Sequence, residues 1–231
     1  MHSQLDHLVV LAATLDEGVA WCERTLGVTP GPGGEHPLMG THNRLLSIAC
    51  EAWPLAYLEI IAIHAGAPCA RPAGYRRWFD LDDAALQQQL KATGPQLAHF
   101  VARTSDAQAA VHALAQHGLD RGEVLQASRM TPQGLLSWKI TVRADGQRLL
   151  NGTLPTLIEW GDVHPARGMA PSGITLQSVQ SVQASHTQAG LLRASYAAIG
   201  LQGIAAEQGP PGLTAALHTP RGLVTLSSRN P

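Results

Sequence analysis

Leu5-Asp6-His7-Leu8-Val9-Val10 opens the chain, and Leu97-Ala98-His99-Phe100-Val101-Ala102 repeats it. Each is a short run of apolar, strand-forming residues with a histidine at its third position. A helix start follows each within a few residues. Each is answered later by a strand carrying one glutamate, Tyr57-Leu58-Glu59-Ile60-Ile61 and Leu157-Ile158-Glu159-Trp160. Alternation along a strand places Leu5, His7, Val9 and Leu11 on one face, and Tyr57, Glu59, Ile61 and Ile63 on one face. Two imidazoles and two carboxylates thus sit in otherwise apolar strands. An ionisable group buried there is costly unless it is paired or binds a metal. Four of them, at matched places in two repeats, ask for a functional reason.

Outward from these strands, the element order reads β-α-β-β-β twice. In the first unit, Thr14-Leu15-Asp16-Glu17 is a capping box and Gly27 closes the helix, with Leu15, Val19, Cys22 and Leu26 as its apolar stripe. Val28-Thr29-Pro30 opens a second strand that runs into Gly31-Pro32-Gly33-Gly34. Two more strands are expected over 42–50 and 56–63. In the second unit a cap at Ser105, with Gln108 as its box partner, leads to Gly118. That span equals the one from Thr14 to Gly27. Strands are expected over 123–128, 135–143 and 157–160. Self-similarity of this kind decides the fold class: α+β, with a first β-α-β-β-β unit over 1–64 and a second over 96–165.

Residues 65–95 between them read as an insert with a short helix. Asp82 or Asp83 caps that helix, and Gly94-Pro95 ends it. Its aromatic stretch, Tyr75, Trp78 and Phe79, is either a lid or insert core. After a linker over 162–173, the pattern starts a third time, over 173–231, with Ser185-His186-Thr187-Gln188 as a capping box. His7 lies seven residues before its cap at Thr14, and the same offset from Ser185 reaches Ser178. The last strand, Leu223-Val224-Thr225-Leu226-Ser227, carries no acid. The third unit is therefore degenerate, repeating the shape without the chemistry. An unpaired unit of this kind is expected to pack on the insert or to meet a second copy of the chain in a homodimer.

Composition narrows the function. The 231 residues are 45% hydrophobic and 14% charged, as in a folded globular chain. A net charge of −1 with no basic run argues against nucleic acid and against an anionic membrane surface. No apolar run approaches the ~18 residues of a membrane span, and no leader is expected before the first strand. Cys22, Cys50 and Cys69 show no metal-knuckle spacing and read as reduced thiols, which implies a cytoplasmic protein. The polar cluster His42-Asn43-Arg44 is either turn chemistry or a substrate-facing rim. His36, His64, His112, His117, His164, His186 and His218 read as solvated. Gly31-Pro32-Gly33-Gly34 lacks the lysine and the strand–loop–helix setting of a phosphate loop.

Paired β-α-β-β-β units with histidine on the first strand and glutamate on the last resemble the vicinal oxygen chelate superfamily of glyoxalases, bleomycin-resistance proteins and extradiol dioxygenases. The opening, with Gly40-Thr41-His42-Asn43, is similar to the glyoxalase-like domain branch over residues 5–64. The likeness extends over 97–165, through Glu159-Trp160-Gly161 and His164-Pro165. The resemblance implies repeated units curled into one open barrel around a divalent metal ion: zinc, manganese, iron, cobalt or nickel. Carried over by position, the ligands are His7, Glu59, His99 and Glu159, with Glu59 or Glu159 also acting as catalytic base. His42, Asn43 and Arg44 then face the substrate. The implied activity is that of a metal-dependent lyase or isomerase on a small oxygen-bearing molecule. An extradiol-type dioxygenase and a metal-free small-molecule-binding protein of the resistance type are the alternatives.

Overall fold

The computed structural model describes residues 1–131 and 134–228. The first unit contains β1 (Ser3–Leu11), α1 (Leu15–Leu26), β2 (Glu35–His36), β3 (Thr41–Ser47) and β4 (Tyr57–Ile63). The insert supplies α2 (Ala84–Thr93). The second unit contains β5 (Gln96–Thr104), α3 (Ala107–Ala115), β6 (Glu123–Thr131), β7 (Gly134–Val142) and β8 (Thr156–Trp160). The C-terminal part contains β9 (Thr175–Gln183), α4 (His186–Ala198), β10 (Ala205–Gln208), β11 (Gly212–Thr219) and β12 (Gly222–Ser227). Among the described residues no helix is long and apolar enough to cross a membrane.

The two units share one curled eight-stranded sheet in the order β2-β3-β4-β1-β5-β8-β7-β6. In each, the first strand lies parallel beside the last, β1 with β4 and β5 with β8. The two first strands pair antiparallel and join the units. Period-two alternation then separates two cores. Leu8, Val10, Leu58, Ile60, Phe100 and Ala102 turn outward, beneath Leu15, Cys22 and Leu26 of α1 and Ala110 and Leu114 of α3. Val9, Leu11, Ile61, Val101, Ile140 and Ile158 turn into the concave face. Trp78 and Phe79 of the insert are buried against that inner cluster, so they are core, while Tyr75 is exposed.

The concave face owes its chemistry to β-bulges. On β1, Leu5 lies opposite Ala102 and His7 opposite Val101, so Asp6 is an extra residue. On β5, Leu97 lies opposite Val10 and His99 opposite Val9, which leaves Ala98 extra. On β9, Leu176 lies opposite Leu217 and Ser178 opposite Ala216, which leaves Gln177 extra. The bulge thus recurs at the same place in all three first strands. It breaks the alternation and lets two consecutive residues share a face.

Local details depart slightly from the sequence expectations. Thr14, Asp83 and Ser185 cap α1, α2 and α4. Helix α3 is capped by Asp106 rather than Ser105: the carboxylate accepts from Ala109 N at 2.9 Å. The second strand forms only at Glu35–His36, with the stretch before it held by a single bridge between Gly31 and Leu45.

The C-terminal part keeps the element order but not the pairing. Its sheet runs β10-β9-β11-β12, with β9 parallel to β10, the strand that follows its helix, instead of to the last strand. It is anchored to the second unit rather than to the insert. Tyr196 Oη donates to Thr153 O at 2.6 Å, and Gln183 Nε2 donates to Leu150 O at 2.8 Å and Thr153 Oγ1 at 2.6 Å. Leu176, Leu192, Tyr196 and Leu217 belong to the same buried cluster as Leu8 and Phe100.

Candidate functional site

The bulge turns Asp6 into the concavity beside His7. Asp6 Oδ1 accepts from His7 Nδ1 at 2.7 Å, and Asp6 Oδ2 accepts from Trp160 Nε1 and His164 Nε2, both at 2.9 Å. The Tyr57 ring stacks on His7 at 4.5 Å. Across from His7, Glu59 is fixed by Asn43, whose Nδ2 donates to Oε1 at 2.6 Å. Asn43 is itself held from the loop, its Oδ1 accepting from Gly34 N at 2.7 Å. Its Nδ2 also lies 3.4 Å from His36 Nε2. His7 Nε2 and Glu59 Oε2 face each other at 3.6 Å, too far for a direct hydrogen bond.

Electrostatics make this a charged cluster. Burial disfavours charge on His7, but the hydrogen bond to Asp6 and the nearby Glu59 outweigh it and raise its pKa to about 9. Burial would also push Asp6 up, yet His164 and His7 hold it well below the usual carboxylate range. Glu59 is lowered in the same way, against its burial, chiefly by His7. Near neutrality the cluster holds two carboxylates with an imidazolium between them. His36 differs: burial drives it down to about 4, so its ring is neutral.

These groups lie at the closed end of a cleft. A small recess of about 40 Å³ is lined by His7, Asn43, Tyr57, Glu59, Trp138 and Trp160, among others. It opens into a cavity of about 1250 Å³ bordered by the Gly31–Gly34 loop, β6, β7 and the segment after β8. Such a concave, mainly apolar cavity with a few convergent polar groups is the usual form of a small-molecule site.

The sequence-derived ligand set is only half assembled. His7 and Glu59 meet. His99 is on the same face, but its ring is already engaged: Nδ1 with Gly152 O at 2.8 Å, and Nε2 with Thr156 Oγ1 and Thr156 N at 3.0 Å. Burial, with the Arg121 cation nearby, keeps that ring neutral. Glu159 lies on the opposite face. Ile158 and Trp160 line the cleft, so alternation sends Glu159 outward. There Lys139 Nζ donates to Oε1 at 2.7 Å and Ala107 N to Oε2 at 2.9 Å, at the start of α3. Among the described residues no group of three or more His, Cys, Asp or Glu side chains is disposed to hold a metal ion. The residues present therefore do not fit the four-ligand centre implied by the resemblance.

Of the polar cluster on β3, only Asn43 reaches the site. His42 and Arg44 alternate onto the other face, opposite Ala62 and Ile60. His42 stacks there on His64 at 4.5 Å, and Arg44 is exposed. Asp6 joins the site unmarked by the sequence pattern, and so do His36 and His164, which were expected to be solvated: His164 is buried against Asp6 and His36 is half-buried beside Asn43. Strict alternation places Asp6 on the wrong face. The only local signal was its adjacency to His7, an acid beside a base in an apolar strand.

A family model described as a glyoxalase-like domain matches residues 5–200. No curated protein shows significant sequence similarity to the chain. Among solved structures, a hypothetical protein from Staphylococcus aureus is 14% identical, with a TM-score of 0.55 over 97% of this chain and 85% of that one. The methylmalonyl-CoA epimerase of Mycobacterium tuberculosis is 16% identical, with a TM-score of 0.38 over 68% of this chain and 85% of that one. A single-residue variant of the Streptomyces coelicolor methylmalonyl-CoA epimerase, in complex with 2-nitronate-propionyl-CoA, is also 16% identical, with a TM-score of 0.40 over 69% of this chain and 98% of that one. At these identities the likeness concerns the fold alone.

Proposed function

The chain belongs to the glyoxalase-like domain family, and on that footing we propose that it is an isomerase or lyase that moves protons on a small carbonyl compound bound in the concave cleft. The observation that carries this reading is the charged pair His7 and Glu59, buried at the closed end with a 3.6 Å gap between their facing atoms. A carboxylate and an imidazolium so placed are a base and an acid that can act on adjacent atoms of one substrate.

The Glu59 carboxylate takes the proton from a carbon next to the carbonyl. The electron pair of the broken C–H bond moves into the new C–C double bond, and the carbonyl pair moves onto oxygen. His7 donates its Nε2 proton to that oxygen, leaving a neutral enol and a neutral imidazole. With a hydroxyl on the attacked carbon the enol is an enediol. Neutral His7 takes the proton of that second hydroxyl, and a carbonyl forms there. The C–C double-bond pair takes the proton back from Glu59 at the former carbonyl carbon, and the carbonyl has moved by one carbon with no net proton change. Asp6 aims the ring and favours its protonated form, while Asn43 holds Glu59 in place. A metal-dependent version would require His99 and Glu159 to leave the partners described above, so the chemistry is assigned to His7 and Glu59 alone.

The test is proton exchange. Small hydroxyketones and ketoacids are incubated with the protein in deuterium oxide and followed by proton NMR. Deuterium should enter at the carbon beside the carbonyl, and Glu59→Gln should slow this by about a hundredfold or more. A wild-type protein that binds these compounds without exchanging their protons would be a binding protein, and the catalytic reading would fall.

A further inference from the structure

Among the described residues, two buried hydrogen-bond donors of the cleft, Arg129 Nη1 and Trp78 Nε1, find no partner. Both residues line the recess that contains His7 and Glu59. The Arg129 charge is felt inside it, where it opposes protonation of His36 and favours ionisation of Tyr57. A buried guanidinium nitrogen without an acceptor is costly, and an indole N–H can only donate. The loop makes room for the guanidinium: a Cβ on Gly34 would lie 1.7 Å from Nη1. Any side chain at that position would force the guanidinium to shift from its place in the recess.

The outer cavity has a different character. Leu38, Met39, Leu46, Val163 and Met169 give it an apolar wall. The recess is far smaller, at about 40 Å³, and takes only the polar end of a ligand, a carboxylate with the atoms next to it.

We infer that the ligand of this cleft is an organic carboxylate with an apolar body, its carboxylate held by Arg129 and Trp78 and its body seated in the outer cavity. A planar carboxylate matches the guanidinium fork, and charge-assisted bonds of this kind are the strong ones. The inference builds on the proposed function by naming the substrate class of the same site, but it stands on different residues and is tested by binding, not turnover.

The probes are benzoylformate, its neutral methyl ester and phenyl phosphate, titrated calorimetrically against the full chain. Benzoylformate should bind the wild type, and the ester at least tenfold more weakly. Arg129→Met should weaken benzoylformate by about ten- to a hundredfold. Gly34→Ala is the second variant, because it keeps the guanidinium but displaces it, and it should mimic Arg129→Met with an unchanged circular dichroism spectrum. Glu59→Gln should retain benzoylformate binding while losing any proton exchange, so the two readings fail separately. Equal affinity for acid and ester, an unaffected Arg129→Met, no binding of benzoylformate at millimolar concentration, or tighter binding of phenyl phosphate would each overturn the carboxylate assignment.

Discussion

Asp6 and His7 are consecutive residues of one strand, yet both enter the cleft, with 2.7 Å between Asp6 Oδ1 and His7 Nδ1. Regular alternation would send them to opposite faces. The bulge at Asp6 brings them together and supplies the counter-charge that lets a buried imidazole stay protonated. At the matching place on β5 the extra residue is Ala98, so His99 has no such acid and stays neutral.

Replacing Asp6 by Asn should therefore act first on His7. Its titration, followed by imidazole proton NMR, should move down from about 9 toward or below the ~6.5 of a free histidine. The change should also destabilise the fold by about 3 kcal/mol or more, because the charge on His7 loses its buried partner. A His7 that still titrates near 9 in this variant would remove Asp6 as the cause.

Stability should peak near pH 6.5. His7 is raised in the folded state, so its contribution is complete below its unfolded value, about 6.5, and is lost as pH climbs through about 9. His36 and His99 are lowered, so theirs is present above about 6.5 and is lost as pH falls toward their folded values, about 4 for His36. Asp6 and Glu59 are lowered too and add a further loss at acid pH. Urea midpoints measured from pH 5 to 9 should trace this dome. A profile that rises steadily to pH 9 would contradict the His7 assignment.

The two glutamates singled out by the repeat should separate cleanly. Glu159→Gln removes the charge of an outward-facing ion pair but keeps an oxygen that can accept from Ala107 N at the helix start, and should leave ligand binding and proton exchange at wild-type levels. Glu59→Gln should slow exchange by about a hundredfold or more. Comparable losses in both variants would restore a role for Glu159 at the site.

Gly33→Ala should disturb the site through the backbone. A Cβ there would meet Asn43 O at 2.1 Å and Asn43 Oδ1 at 2.3 Å, and backbone cannot give way cheaply. A loss of about 1–3 kcal/mol is expected from such overpacking, together with slower exchange because Asn43 positions Glu59. A variant with wild-type stability and rate would show that the loop does not hold Asn43.

Calorimetry should show one unfolding transition. The C-terminal sheet and α4 share a buried cluster with the barrel's outer face, and Gln183 and Tyr196 bond directly to the Leu150–Thr153 turn. Two well-separated transitions would mean that the C-terminal part folds independently.

Short stretches of the chain are enough to read the repeated β-α-β-β-β order, the caps at Thr14 and Ser185, and the placing of His7 and Glu59 in apolar strands. These follow from periodicity, local hydrogen bonding and the cost of burying charge in an apolar strand, all of which act between near neighbours in sequence. The remainder of the site depends on long-range packing. A one-residue bulge, invisible in an apolar pattern, brought Asp6 into the cleft. Alternation counted from the real ends of β8 and β3 turned Glu159, His42 and Arg44 away from it. The Gly152–Thr156 turn took up both nitrogens of His99. His36, His164, Trp78 and Arg129 reached the site from loops and strands distant in sequence. Their roles depend on how the sheet curls, which no local pattern encodes.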